Sequence, residues 1–159
     1  MERPMDKMFE AISSPKTSRI HLLDVENLVG SGILTEYQVH ELCDDYVRCT
    51  NCEADDLFLL AAGPQNRSAA VNGWSFGYSL YKFKKGKDGA DQALVYLFEQ
   101  IENPEKYSQI YLATGDGGLA SIAETVNRLG IDLTVVSGKG KVSSEYRGYK
   151  HIKLSGNHR

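Results

Sequence analysis

Apolar residues in this chain fall into two alternating kinds of run. Short continuous stretches bounded by polar, Gly or Pro residues occur at Arg19–Asp24, Leu57–Ala62, Gln109–Ala113 and Leu133–Val136. Such runs predict buried β-strands. Between them the apolar positions recur at steps of three and four. In Thr35–Arg48 these are Val39, Leu42, Cys43 and Tyr46, with Thr35 placed as an N-cap. A second helix is predicted over Asp88–Ile101, stopping before Asn103-Pro104. A third covers Leu119–Leu129, closed by Gly130 as a left-handed cap. Weaker patterns predict a helical turn over Gln65–Asn72, a third strand at Ser79–Phe83 and a last short strand at His151–Leu154. Strands alternating with helices predict an α/β fold whose mostly parallel sheet is covered on both faces.

Length changes this picture little, since 159 residues suit one ordinary domain. That domain is expected over 18–155, after an N-terminal arm at 1–17 and before a short tail at 156–159. A formal charge of −3 and a pI near 5.8 leave no global nucleic-acid footprint, although a local basic rim is compatible with them. Cys43, Cys49 and Cys52 lie close together, but no second C-x-x-C follows at zinc-ribbon spacing, and reduced thiols are the simpler reading. An odd cysteine count argues against a secreted disulfide framework. No run approaches the ~20 apolar residues of a membrane span. The start lacks the apolar segment of a signal peptide, so a cytoplasmic protein without a membrane partner is expected.

Three acidic signatures stand at element ends: Asp24-Val25-Glu26-Asn27, Gly86-Lys87-Asp88-Gly89-Ala90-Asp91 and Thr114-Gly115-Asp116-Gly117-Gly118. The carboxyl ends of parallel strands are where ligands gather in such sheets, so carboxylates distant in sequence can converge there. Close carboxylates repel unless a cation holds them, which directs suspicion to Mg²⁺ or Mn²⁺. Each acid also has a structural use. Asp24 suits an Asx-type turn, Asp88 an N-cap, and Asp116 a cap in a tight turn. Asp91 heads the stripe Asp91, Leu94, Phe98, Ile101, where a charge facing a packed sheet needs a partner or a metal.

The order Leu23-Asp24-Val25-Glu26-Asn27, then Asp91-Gln92-Ala93-Leu94, then Ala113-Thr114-Gly115-Asp116 and Leu129-Gly130 resembles the NYN branch of PIN-like nucleases. The likeness runs from about Arg19 to Leu154. It implies a three-layer α/β/α fold and a divalent-metal nuclease site acting on RNA, with Asp24, Asp91 and Asp116 as acidic ligands. It also implies Asn27 as a helper that orients water, ligand or phosphate. Many members of that family carry another aspartate where this chain has Gly118, which puts a second metal in doubt. Glu26, Asp88 and Glu145 are the nearby acids that could substitute.

An acidic site needs a basic rim to receive phosphates. Lys82, Lys84, Lys85 and Lys87 offer one, with Lys139, Lys141 and Arg147 in a late loop and Arg67 elsewhere; Lys85, Lys87, Arg67 and Lys139 are the expected RNA contacts. Trp74, Phe76 and Tyr78 could stack on bases, but packing beneath a loop is the favoured reading. The expectation is therefore a metal-dependent ribonuclease with RNA as partner and a second copy of the chain as a further candidate. The main alternative is a catalytically silent PIN-like domain that binds RNA or protein. A nucleotide-handling domain is a third class, for which no phosphate loop is legible.

Overall fold

The computed structural model describes residues 18–156. The expected arm at 1–17 lies outside these residues, as does the tail beyond Gly156. Six strands form one sheet: β1 (Arg19–Asp24), β2 (Leu57–Ala62), β3 (Tyr78–Phe83), β4 (Gln109–Ala113), β5 (Asp132–Ser137) and β6 (Lys150–Lys153). Every pairing is parallel and the order is β3-β2-β1-β4-β5-β6, so the sheet is wholly rather than mostly parallel. The chain winds outward from β1 on one side and from β4 on the other. The switch point between them is where an open α/β sheet leaves a crevice.

Among the described residues five α-helices accompany the strands: α1 (Val25–Val29), α2 (Glu36–Thr50), α3 (Arg67–Gly73), α4 (Gly89–Glu99) and α5 (Ala120–Arg128). The predicted strands lie where their apolar runs put them. Thr35 caps α2 through a full capping box, its hydroxyl taking the Gln38 amide while Gln38 returns the bond. Gly130 follows α5 with a φ of 74°. Two differences have local causes. The residues after Asp24, read as a turn, form the short helix α1, with the Asp24 carboxylate accepting the Asn27 amide. Asp88 stands at the N-cap position of α4 but its side chain makes no capping bond, so that expected role is corrected.

Strand alternation divides the core. Ile20 and Leu22 of β1 join Leu59, Ile110 and Leu112 in a cluster with Leu94 and Leu97 of α4 and Ile122 and Val126 of α5. Leu23 joins Phe58, Leu60 and Ala113 in a second cluster with Leu28 of α1, Leu42 and Tyr46 of α2, and Trp74. Helices thus cover both faces of the sheet, which is the three-layer arrangement.

Within the second layer, fully buried His21 is paired in register with Phe58 and Tyr111, and its ring stacks on both, at 4.5 and 4.7 Å between centroids. Burial lowers its pKa against the pull of Asp56, so the ring is neutral. Nε2–H donates to Asp56 Oδ2 at 2.9 Å, and Nδ1 accepts from the Tyr46 hydroxyl at 2.7 Å. Asp56 also takes Arg19 Nε at 3.0 Å, the Arg19 amide at 3.2 Å and the Glu53 amide at 3.1 Å. Burial alone would raise the Asp56 pKa; the His21 bond, the Glu53 amide and Arg19 outweigh it and hold the carboxyl below its usual range.

A depressed carboxylate stabilises the fold above its unfolded pKa and loses that contribution as pH falls through the folded one. Replacing Asp56 with Ala strands several buried donors, so the variant is expected to lose about 3–5 kcal/mol in urea unfolding at pH 7. The deficit against the parent is expected to narrow only below about pH 4. Equal urea midpoints at pH 7 would contradict this account.

Candidate functional site

The carboxyl ends of the strands open on a cavity of about 720 Å³, lined by Asp24, Asp91 and Asp116 among others. Alternation explains the first. Asp24 follows Ile20 and Leu22 at two-residue steps, so it points to the face that α4 covers. Asp91 lies in the first turn of α4, whose start is pressed onto the end of β3: a Cβ at Gly89 would stand 2.2 Å from the Lys84 carbonyl oxygen. Asp116 stands just past β4, where it caps the 3₁₀ turn Gly117–Leu119 that leads into α5. The structure thus brings all three acids to one crevice at the switch point.

The loop that carries Asp116 is held from several directions. Asn27 Oδ1 accepts the Gly115 amide at 2.8 Å, joining α1 to the end of β4. Gly115 O accepts the Ser143 amide at 2.9 Å, and Thr114 Oγ1 accepts the Asp116 amide at 3.1 Å. The Tyr146 hydroxyl donates to the Asp116 carbonyl, and Asp116 Oδ1 takes the Gly118 amide at 3.1 Å. Asn27 therefore acts first on the loop. Its Nδ2 makes no bond among the described residues, and Asn27 itself lines the cavity.

Among the described residues no Lys or Arg pairs with any of the three aspartates. Their electrostatics follow from that. Asp24 is 6% exposed, and burial pushes its carboxyl up to about 7, with the charges of Asp91, Glu26 and Asp116 adding to the rise against the Asn27 amide. Burial and the charges of Asp116 and Asp88 raise Asp91 to about 6. A set of hard oxygen donors without a counter-charge suits Mg²⁺ or Mn²⁺, and Asp24, Asp91 and Asp116 would hold the ion.

The three carboxylates do not form a closed cage. Among the described residues, the group whose ligand atoms all lie within 4.8 Å of one another is His40, Glu41 and Asp44, on the outer face of α2. There His40 Nε2 lies 3.5 Å from Asp44 Oδ2, and both side chains are more than half exposed. The wider spacing at the strand ends leaves room for water between donor and cation, which Mg²⁺ retains readily.

Lys84, Lys85 and Lys87 of the β3–α4 loop and Lys139 after β5 line the same cavity, exposed and without an ion pair among the described residues. Arg67 is placed elsewhere: its guanidinium lies 4.5 Å from the centroid of the Phe83 ring and is not part of the cavity lining. Lys82 Nζ lies over Tyr96 at 4.5 Å, and Arg147 lines a separate depression with Tyr149. Trp74 is buried against Tyr46 and Phe58, in keeping with a packing role.

Several contacts that shape the site join residues far apart in sequence, and no local pattern reveals them. Glu26 lines the cavity, but its Oε2 accepts the Gly63 amide at 2.7 Å and Asn66 Nδ2 at 2.6 Å, tying α1 to the exit of β2. Tyr146 and Ser143 come from far along the chain. Gly118 is pressed against the Asp91 carboxylate. Comparison of the chain with protein-family models, with curated proteins and with solved structures finds no match in any of the three.

A carboxyl whose pKa is raised on folding binds an extra proton between its unfolded and folded values. Stability in a chelator therefore falls as pH climbs through that window, here from about 4 to about 7 for Asp24. Asp24→Asn keeps an acceptor for the Asn27 amide and removes the buried charge. The variant is expected to gain roughly 2–4 kcal/mol over the parent at pH 8 in EDTA, with no gain near pH 4. Parallel stability curves for the two proteins across this range would show that Asp24 is not charged against its surroundings.

Proposed function

We propose that the chain is a cytoplasmic, divalent-metal-dependent ribonuclease of PIN-like type, hydrolysing RNA phosphodiester bonds at Asp24, Asp91 and Asp116. The observation that carries this reading is the convergence of three uncompensated carboxylates beneath a rim of unpaired lysines in one cavity. The wholly parallel sheet supports it by putting Asp24 and Asp116 at neighbouring strand ends, with Asp91 on the helix that packs beside them. The resemblance of the acidic motifs to the NYN pattern supplies RNA as the substrate class. The strand order is also that of dinucleotide-binding sheets, but the first β–α turn, Leu23-Asp24-Val25-Glu26-Asn27, lacks their glycine fingerprint.

Each group has a defined task. Lys85, Lys87 and Lys139 draw the phosphate backbone over the acids, which would otherwise repel it. Asp24, Asp91 and Asp116 hold the cation, directly or through water. When bound, the divalent ion supplies an activated water and neutralises charge on the scissile phosphate. Asn27 keeps the Asp116 loop against α1, and its side-chain amide nitrogen, unbonded among the described residues, is the group it would offer to a phosphate oxygen. No described histidine is placed to act as a base: His21 is buried against Asp56 and Tyr46, His40 pairs with Asp44 on the outer face of α2, and His151 is bonded to Ser137.

Asp116→Asn can still accept the Gly118 amide, so it is expected to keep the fold while lowering Mn²⁺-dependent RNA cleavage by at least ~100-fold, about 2.7 kcal/mol of transition-state stabilisation. Cleavage at the parental rate would remove Asp116 from the mechanism. Calorimetry with Mn²⁺ separates this reading from a non-cleaving RNA binder, for which no affinity is expected even beside RNA.

Lys85→Ala and Lys87→Ala act on substrate capture. Each is expected to weaken RNA binding and to reduce the slope of log K against log salt by about 0.7. An unchanged slope in both variants would place the RNA on another surface.

A further inference from the structure

Gly118 stands at the position where the resembled family carries a further acid, and its surroundings explain the substitution. Its φ is not among the positive values that favour glycine, so its backbone does not require one. Space does. A Cβ built on Gly118 would stand 2.0 Å from Asp91 Oδ2 and 2.8 Å from Asp91 Cγ. The Asp91 carboxylate therefore points Oδ2 first into the space a side chain at 118 would take, with Oδ1 farther off at 3.4 Å from the same point. The Gly118 amide at the same time donates to Asp116 Oδ1 at 3.1 Å. One residue thus touches two of the three acids, through its N–H and through its missing side chain.

No hydrogen bond or ion pair among the described residues fixes Asp91. Its seat is set by the first turn of α4 on one side and by Gly118 on the other. Any side chain at 118 must move the carboxylate, because the alternative is to move the backbone of the 3₁₀ turn that the Tyr146 hydroxyl and Asp116 cap hold in place. A short aspartate side chain rotates more readily than that turn shifts.

We propose that Gly118 is a positioning residue that seats the Asp91 carboxylate beside Asp116, and that the three-acid site excludes a fourth carboxylate at this position. The inference rests on the reading of Asp24, Asp91 and Asp116 as a metal site. It makes Gly118 a requirement of that site and not the scar of a lost ligand.

The decisive variants are Gly118→Ala, Gly118→Asp and Asp91→Ala, with the double variant Asp91→Ala/Gly118→Ala. Gly118→Ala is expected to unfold at the parental temperature or slightly above, since alanine restricts the unfolded chain and strains nothing at negative φ. Its crystal structure without metal is expected to show Asp91 in a different rotamer. Its Mn²⁺ affinity by calorimetry is expected to fall at least ten-fold, and that of Gly118→Asp to fall as well. In the Asp91→Ala background the alanine at 118 is expected to cost no further affinity, because it acts only through Asp91.

An unmoved Asp91 in Gly118→Ala, or tighter Mn²⁺ binding by Gly118→Asp, overturns the proposal. A parent protein without Mn²⁺ affinity overturns the metal reading instead, and the Asp91 rotamer then still decides whether Gly118 seats it.

Discussion

The hydrogen bond from the Gly115 amide to Asn27 Oδ1 closes the point at which the fold divides. β1 and β4 are paired through Leu23 and Ala113, after which their chains leave for opposite faces of the sheet. Two backbones that part at a switch point open a crevice, and nothing in the sheet ladder fixes its width. Asn27 does so with a 2.8 Å bond across 88 positions of sequence. Ser143 and Tyr146 hold the same loop from its other side, so the Asp116 carboxylate is aimed from a braced turn. Such bracing is what a site on loops needs in order to keep its geometry.

The two ends of β1 handle charge in opposite ways. At its start, Arg19, His21 and Asp56 form a closed set in which the carboxylate takes bonds from side chains and amides and its pKa falls. At its end, about 17 Å away at the rise of a strand, Asp24 is buried without a cation and its pKa climbs. A chain that neutralises one buried aspartate so fully does not leave another uncompensated for want of basic residues: Lys84, Lys85, Lys87 and Lys139 line the same cavity without pairing with it. The imbalance is local, and it falls at the end of the sheet where ligands bind.

Much of this was legible in sequence because the governing patterns are short-range. Continuous apolar runs marked β1, β2 and β4 to their end residues, and Asp91 at the head of an apolar stripe marked the inward face of α4. Asp24 shared a face with Ile20 and Leu22 by simple alternation. What stayed hidden depends on distant partners. Glu26 is held by Gly63 and Asn66, 37 and 40 positions away, and nothing near Glu26 announces them. α1 has only five residues, too few for a periodic signal. Arg67 stands as an isolated cation in the sequence, and only tertiary packing lays it over Phe83. Gly118 is a missing acid in the sequence alone, and only the fold sets the Asp91 carboxylate against it.

The raised carboxyls also define the charge of the crevice near neutral pH. With Asp24 near 7 and Asp91 near 6, the metal-free crevice holds protons close to neutrality, and these partly relieve the repulsion among its acids. On the proposed reading a divalent ion takes the place of those protons, so its binding is coupled to their release. The same carboxylates that cost stability when empty and ionised become its source when loaded. A wide, hard-oxygen site with lysines only at its rim fits that exchange: the cation retains water between donors, and the phosphate backbone supplies further oxygens on arrival. On that reading the destabilised acids, the braced Asp116 loop and the glycine against Asp91 are parts of one arrangement, in which charges are held apart for a cation and a phosphate to fill the gap.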